Sequence, residues 1–545
     1  MNNTKQSNSH IIRAKFILII FVSCLLVLLA RILYLYIEER NFLQDEGDYR
    51  TISLREIEAV RGKILDVNNF PLAASMKQYS LYGLKGFTKS SIPKDSILLI
   101  NTEISDKRFD KKTLLKRNLS LKEIEFISLL KNDFLEIEPY YQRYYPTGEQ
   151  ASTLVGFAGK DGIGLEGMEK LFDYKLIGTN GKEEFYKNNR GETIKLPKII
   201  VPAQGGKSIN LTVDSRIQFI AYKHLSNGVV ANKAKGGSVV ILDNIKGEIL
   251  AISTYPSYNP NNPQRSITRN RALVDEFEPG SLIKPIALAI ALQRGHLNFT
   301  DTIDTSPGRF LVNNRAIIDH KNLGLLTPQE VILNSSQIGA SKIALRIGST
   351  DLISGLKNFG FSKASYIDFP NIKSGHINQR HNISEYEVAS LGFGYGIDAT
   401  VLQVAEAFSI FANQGIKKDF ILVKGSKRTS EMQVVSPDVA KQIMLSLEDV
   451  VALGTGTQAQ VNKYRIGGKT GTAHISKKGS SGYYTDRYYA SFVGIAPIPS
   501  NRYTIVVSIE EPNPNKYKGG EVAAPIFKNI IQDILLIRDE PNQQN

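Results

Sequence analysis

Apolar positions follow three different spacings along this chain. Residues 16–35 are apolar except for Ser23, Arg31 and Tyr34, a run long enough to cross a bilayer core of about 30 Å as one helix. Lys5, Arg13 and Lys15 precede it, so the positive-inside rule predicts a cytoplasmic tail over 1–15 and sends the chain after residue 37 outward. No small-residue cleavage site lies between Arg31 and Arg40, which favours an uncleaved anchor over 16–36 above a removed signal peptide. From 37 to 205 the apolar residues come in short β-like runs between Lys/Asp-rich loops such as 106–112. A turn-rich joint follows at Pro202-Ala203-Gln204-Gly205-Gly206-Lys207. Beyond it the runs are longer. The pattern predicts a strand over 209–213, a helix over 215–225, a hairpin of 237–243 with 248–253 joined at Asn244-Ile245-Lys246-Gly247, strands over 488–496 and 503–509, and an amphipathic helix over 525–537. Strands at both ends of a helical middle predict an α+β domain over 206–538, with one mostly antiparallel sheet flanked by helices. The polar ends, 1–9 and 539–545, read as flexible tails.

Composition narrows the function. Hydrophobic residues make up 42% and charged residues 22% of the chain, which excludes a disordered or polytopic membrane protein and leaves the membrane question to the first segment alone. The net charge of +14 arrives without a zinc-finger, RNA-recognition or homeodomain pattern. It fits attraction to anionic lipid and cell-wall polymers better than nucleic acid binding. The one cysteine, Cys24, lies inside the apolar span, so the exported part has no disulfide, thiol nucleophile or thiolate metal site. With no His-Glu-x-x-His and no phosphate loop, neither a metal nor a cofactor is implied.

A nucleophile is best sought at Glu278-Pro279-Gly280-Ser281-Leu282-Ile283-Lys284-Pro285. Pro279 and Gly280 stop any preceding helix, and the apolar run 286–292 carries a new one inward. The i,i+3 spacing sets the Lys284 amine beside the Ser281 hydroxyl, and burial lowers a lysine from its reference of about 10.4 towards the range of a working base. Ser-x-x-Lys also occurs at Ser91/Lys94, Ser128/Lys131 and Ser354/Lys357. The copy at 281 combines a helix-start placement and a partner lysine with the chain's single Lys-Thr-Gly downstream, in Lys469-Thr470-Gly471-Thr472. A Ser-His-Asp triad and a catalytic His474 are the weaker alternatives, as no Gly-x-Ser-x-Gly elbow is present.

Ser-x-x-Lys, Ser-x-Asn and Lys-Thr-Gly together are the signature of penicillin-binding proteins and class A β-lactamases, and the chain resembles a class B penicillin-binding protein of the septal, cell-division type. The resemblance extends to Arg61-Gly62-Lys63-Ile64-Leu65-Asp66, Tyr145-Pro146-Thr147-Gly148, Gly164-Leu165-Glu166-Gly167-Met168-Glu169, Ser257-Tyr258-Asn259-Pro260 and Gly394-Tyr395-Gly396. It implies an elongated, mixed, non-catalytic pedestal (dimerisation-type) domain over 37–205 and a penicillin-binding, β-lactamase-like transpeptidase domain after it. The second motif departs from the pattern: Ser335-Ser336-Gln337 stands where Ser-x-Asn is expected.

The roles that follow are those of a D,D-transpeptidase. Ser281 attacks a D-Ala-D-Ala peptide bond of a peptidoglycan stem peptide, and Lys284 takes its proton. Ser335 relays a proton to the leaving amine, and Lys469 adds a positive charge that keeps Lys284 neutral. Thr470 and Thr472 hold the substrate carboxylate, Gly471 lets the substrate backbone approach the strand edge, and Gln337 binds a substrate carbonyl. The backbone N–H groups of Ser281 and Thr472 are the implied oxyanion hole. β-Lactams are the implied inhibitors, and a SEDS-type glycan polymerase with other division proteins of the cytoplasmic (inner) membrane the implied partners. Two rival readings remain: an elongation-type transpeptidase, and a penicillin-binding sensor or scaffold that does not cross-link.

Overall fold

A computed structural model describes residues 3–88, 92–93, 108–186, 197–263, 269–378, 380, 383–427, 431–477 and 482–538. The Ser91/Lys94 pair and the tail over 539–545 lie outside these residues. The helix Asn3–Ile37 contains the expected apolar run, and its part His10–Ile37 is long and apolar enough to cross a membrane. The chain divides into two compact units, one of 1–59, 77–141 and 179–205, the other of 60–76, 142–178 and 206–545.

The first unit has modest packing. Its three-stranded antiparallel sheet runs Ile52–Ile57, Gly181–Tyr186, Lys198–Val201, and the last strand is exposed at every position. A separate small core of Leu81, Phe87, Ile92, Leu119 and Ile127 forms where the helix Leu121–Leu129 packs. Ser120 and Glu123 close a capping box at that helix's start, satisfying two backbone N–H groups that the first turn leaves free.

The second unit is built on a five-stranded antiparallel sheet. Its order is Glu248–Tyr255, Gly236–Asp243, Tyr503–Glu510, Tyr483–Ile498, Arg465–Ser476. Both faces are covered, and for that reason the strands read as continuous apolar runs: along Gly236–Asp243, Val239 and Ile241 enter one core while Val240 and Leu242 enter the other. The helices Ser215–Ala231 and Gly519–Ile537 supply the first core. The helices Lys284–Gln293 and Val401–Ala412 contribute to the second. The predicted hairpin is present, and Asp243 Oδ1 fixes its loop by accepting the Ile245 and Lys246 N–H groups at 3.1 and 2.9 Å.

Several boundaries differ from the sequence expectation. The closing helix starts at Gly519 and carries Pro525 inside it rather than at its head. The strand expected over 209–213 is a regular strand only at Ile209–Asn210, followed by a single bridge from Leu211 to Val423. Two of the motif strings also meet here. Arg61 and Arg143 both bind the fully buried Glu169, at 2.8 and 2.7 Å, and Arg61 also reaches Asp173 at 2.6 Å. Removing one partner from such a buried cluster costs about 3–5 kcal/mol.

Candidate active site

Ser281 sits in a tight turn, Gly280–Leu282, ahead of the helix Lys284–Gln293. Two close approaches fix that turn. Gly280, at φ +56°, donates its N–H to the Gly394 carbonyl at 3.2 Å, and a Cβ on Gly394 would stand 2.0 Å from the Gly280 oxygen. On the other side a Cβ on Gly471 would come within 2.9 Å of Leu282 and 3.0 Å of the Pro279 carbonyl. The missing side chain therefore lets the strand Arg465–Ser476 lie against the nucleophile's turn. That strand is an edge of the five-stranded sheet.

The two lysines converge on one hydroxyl. Lys284 is 1% exposed and donates its Nζ protons to the Ser335 carbonyl and, at 3.2 Å, to the Ser335 Oγ. Lys469, 0% exposed, donates to the same Oγ at 2.9 Å and to the Thr470 carbonyl at 3.2 Å. Ser335 reaches this place in a left-handed conformation, φ +55°, a backbone state that costs about 1–3 kcal/mol away from glycine and persists only where the surroundings impose it. The helix Pro328–Leu333 ends just before it and the helix Gln337–Ile347 begins just after it, with Ser336 as N-cap.

No carboxylate pairs with either amine among the described residues. Burial pushes Lys284 down to about 7, with Asp319 pulling the other way. Burial first, and repulsion from Lys284 second, hold Lys469 well below the ordinary lysine value. An amine that sheds its proton near neutral pH has a lone pair to offer, which is the property a base for serine activation needs.

The Ser281 hydroxyl is half-buried and has no hydrogen-bond partner among the described residues. Here the structure departs from the i,i+3 expectation, because Lys284 is engaged by Ser335 and not by Ser281. Thr470 Oγ1 lies 2.7 Å from Thr455 Oγ1, and Thr472 Oγ1 accepts the Gly519 N–H at 3.0 Å, which leaves the Thr472 proton to donate elsewhere. Gln337 is exposed and lines a cleft of about 580 Å³, with His474, Tyr395 and Tyr483 also in its wall. Ser281 itself is not part of that lining. The rival Ser-x-x-Lys copies are otherwise occupied: Ser128 donates to the Ile124 carbonyl at 2.7 Å, and Ser354 accepts from Arg294 at 3.1 Å.

Two carboxylates escape any sequence motif. Asp319 accepts the Ser336 hydroxyl and the N–H groups of Gln337 and Ile338 at 2.6 and 3.3 Å, so it fixes the helix start that carries the second motif. Glu278, three residues before the nucleophile, accepts the Gly396 N–H at 2.8 Å and the Tyr483 hydroxyl at 3.0 Å through Oε1, while its buried Oε2 has no partner. Burial drives it up to about 7 against those two hydrogen bonds, with Asp398 adding to the rise. Among the described residues no group of three or more His, Cys, Asp or Glu side chains could hold a metal ion.

Two family models match the parts of the chain that surround and precede this site. The penicillin-binding protein transpeptidase domain matches residues 237–532, and the penicillin-binding protein dimerisation domain matches 56–211. The chain belongs to the penicillin-binding protein transpeptidase family. It is 33% identical to the probable peptidoglycan D,D-transpeptidase PbpC of Pseudomonas aeruginosa, over 95% of this chain and 94% of that one. It is 32% identical to the peptidoglycan D,D-transpeptidase FtsI of Escherichia coli K12, over 93% and 89%. Penicillin-binding protein 3 of Mycobacterium tuberculosis shares the fold, with a TM-score of 0.69 at 24% identity over 90% of this chain and 98% of that one. As a penicillin-binding transpeptidase, the chain has in Ser281, Lys284, Ser335 and Lys469 its candidate catalytic set.

Proposed function

We propose that this protein is a serine D,D-transpeptidase that cross-links peptidoglycan stem peptides at the division septum and is inhibited by β-lactams. The observation that carries the reading is the Ser335 hydroxyl shared by Lys284 and Lys469, both buried and without a carboxylate partner. The relatives named as peptidoglycan D,D-transpeptidases support the substrate class, and the septal role rests on the FtsI name.

In the first half-reaction Ser281 Oγ bonds to the carbonyl carbon of the D-Ala-D-Ala peptide bond as its proton passes to neutral Lys284. The tetrahedral oxyanion is held by the N–H groups of Ser281 and Thr472, each such donor lowering the barrier by about 3–4 kcal/mol. As the C–N bond breaks, a proton returns through Ser335 to the departing D-alanine amine. An ester on Ser281 remains. The amine of a second strand attacks that ester and loses its proton by the same relay, restoring the serine. Lys469, Thr470 and Thr472 hold the terminal carboxylate, Gly471 leaves room for the donor backbone at the sheet edge, and Gln337 binds a substrate carbonyl.

On this reading residues 206–538 catalyse, 37–205 form the pedestal, and 1–15 face the cytoplasm with a single anchor at 16–36 in the cytoplasmic membrane. A SEDS-type polymerase and other division membrane proteins are the partners. Intact mass after penicillin exposure, followed by peptide mapping, tests the acyl-enzyme: one adduct on Ser281, absent in Ser281→Ala, is expected. An adduct on Ser91, Ser128 or Ser354 would reject the assignment. Cross-linking of lipid II in the presence of a glycan polymerase separates an enzyme from a sensor that is acylated but joins nothing.

A further inference from the structure

The cleft of about 580 Å³ beside the catalytic cluster has an asymmetric charge lining. Arg315 stands in its wall, on the strand Arg315–Ile318 of a hairpin with Arg309–Val312. The guanidinium lies over the Tyr386 ring, 4.9 Å from its centroid. Tyr386 is in turn fixed to the hairpin, because its N–H donates to Asn313 Oδ1 at 3.1 Å. Arg315 forms no ion pair among the described residues. Among the described residues the one carboxylate in the cleft lining, Glu387, is already engaged: it accepts the Ser384 N–H and hydroxyl, each at 2.9 Å, and Asn378 Nδ2 at 3.0 Å. An exposed arginine pre-set on an aromatic face, with its fork unoccupied, is a receptor for a planar anion, which it can take bidentately at small further cost in side-chain entropy.

We infer that Arg315 reads a carboxylate that the peptide substrate carries within its chain, away from the reacting D,D end. The inference rests on the acyl-transfer reading above. The substrate's terminal carboxylate is not the group meant, since Lys469, Thr470 and Thr472 account for it and Arg315 makes no bond to that cluster. A carboxylate is the planar anion such a fork takes, whereas its amide keeps the shape and loses the charge. Arg315 is thus a specificity-determining residue that separates the two forms, the free acid gaining a charge-assisted fork that the amide cannot match. The apolar wall of Ile317, Ile383 and Phe393 receives the intervening carbon chain.

The test uses the full chain in detergent and two synthetic peptides ending in D-Ala-D-Ala, identical except that one internal carboxylate is free or amidated. Each peptide's inhibition constant against acylation by a fluorescent penicillin is measured, a readout that needs no turnover. Wild type should bind the free acid about tenfold more tightly than the amide, Arg315→Gln should bring that ratio close to one, and Arg315→Lys should retain part of it. A wild-type ratio near one, or an unchanged ratio in Arg315→Gln, overturns the inference. Because each ratio is taken within one variant, a partial loss of folded protein does not alter it. Release of D-alanine is followed separately: none from either peptide, with penicillin acylation intact, would count against the transpeptidase reading and leave the Arg315 ratio still readable.

Discussion

Lys112 and Lys284 are the same residue in two regions of one chain, and their surroundings give them opposite chemistry. In the first unit Lys112 lies half-exposed between Glu136 and Glu138, at 2.6 and 2.8 Å. Partial burial works against its charge, yet those two carboxylates hold it above the ordinary lysine value. In the second unit Lys284 is buried at the start of a helix that packs into the second core, meets a hydroxyl and a carbonyl instead of an acid, and falls to about 7. Among the described residues of the first unit the lysines meet carboxylates instead, as Lys112 does with Glu136 and Glu138 and Lys116 with Glu123. A base is therefore made by what is withheld from the amine: water and a counter-ion.

The largest effect that could break this comparison is expected at Lys284→Ala, which should slow β-lactam acylation by roughly 10²–10⁴-fold with the fold retained, as stopped-flow acylation and circular dichroism together report. A variant acylated at the wild-type rate would remove Lys284 from the role of base. Next comes pH. The neutral amine is the active form, so the acylation rate should fall about tenfold per pH unit below about 7 and level off above it. Stability should rise with pH between about 7 and the ordinary lysine value, because there the unfolded chain holds a proton that the folded chain has released. Glu278 is also placed near 7, so Glu278→Gln is the control: loss of the acidic limb in that variant would transfer the titration to the carboxylate.

Asp319→Ala should cost about 1–3 kcal/mol, read by chemical denaturation, since it leaves the Ser336 hydroxyl and two N–H groups of the helix start without their acceptor. Acylation should slow along with it as Ser335 loses its fixed position, and an unchanged rate would confine Asp319 to stability. Gln337→Ala should slow acylation by a few-fold and Gln337→Asn should not, the exposed amide contributing about 0.5–1.5 kcal/mol. Equal rates in all three would mean the amide takes no part. The smallest effect belongs to the other side of the comparison: Lys112→Ala should change stability by about 0.2–1 kcal/mol in thermal melts and leave acylation as it was.

Much of this arrangement was legible in the sequence. Apolar runs over 237–243 and 503–509 announced strands, and a glycine at 471 announced an approachable sheet edge. Motif spacing singled out Ser281, Lys284 and Lys469. It did not reveal which group each lysine would face. A lysine's reach is decided by whichever acceptors are buried with its tip, and Ser335 arrives from another part of the chain in a left-handed conformation that serine rarely adopts. Asp319, Glu278 and the Thr455–Thr470 pair were silent for a related reason. They act through contacts with backbone N–H groups or hydroxyls whose positions exist only after folding. Pro525 misled in the opposite direction, suggesting a helix start where the surrounding apolar face carries the helix straight through.

The two amines that share Ser335 also make proton traffic part of ligand recognition. A ligand that brings a carboxylate close to Lys469 opposes the burial and the Lys284 repulsion that lower the proton affinity of its amine, so docking should favour proton uptake there, and by reciprocity a lower pH should tighten the first encounter. On the proposed mechanism bond formation needs the reverse, an amine at Lys284 already stripped of its proton. Encounter and acylation thus respond to acidity with opposite signs, and calorimetry in buffers of differing ionisation heat should register a net proton uptake on docking in a Ser281→Ala protein that can bind but cannot react.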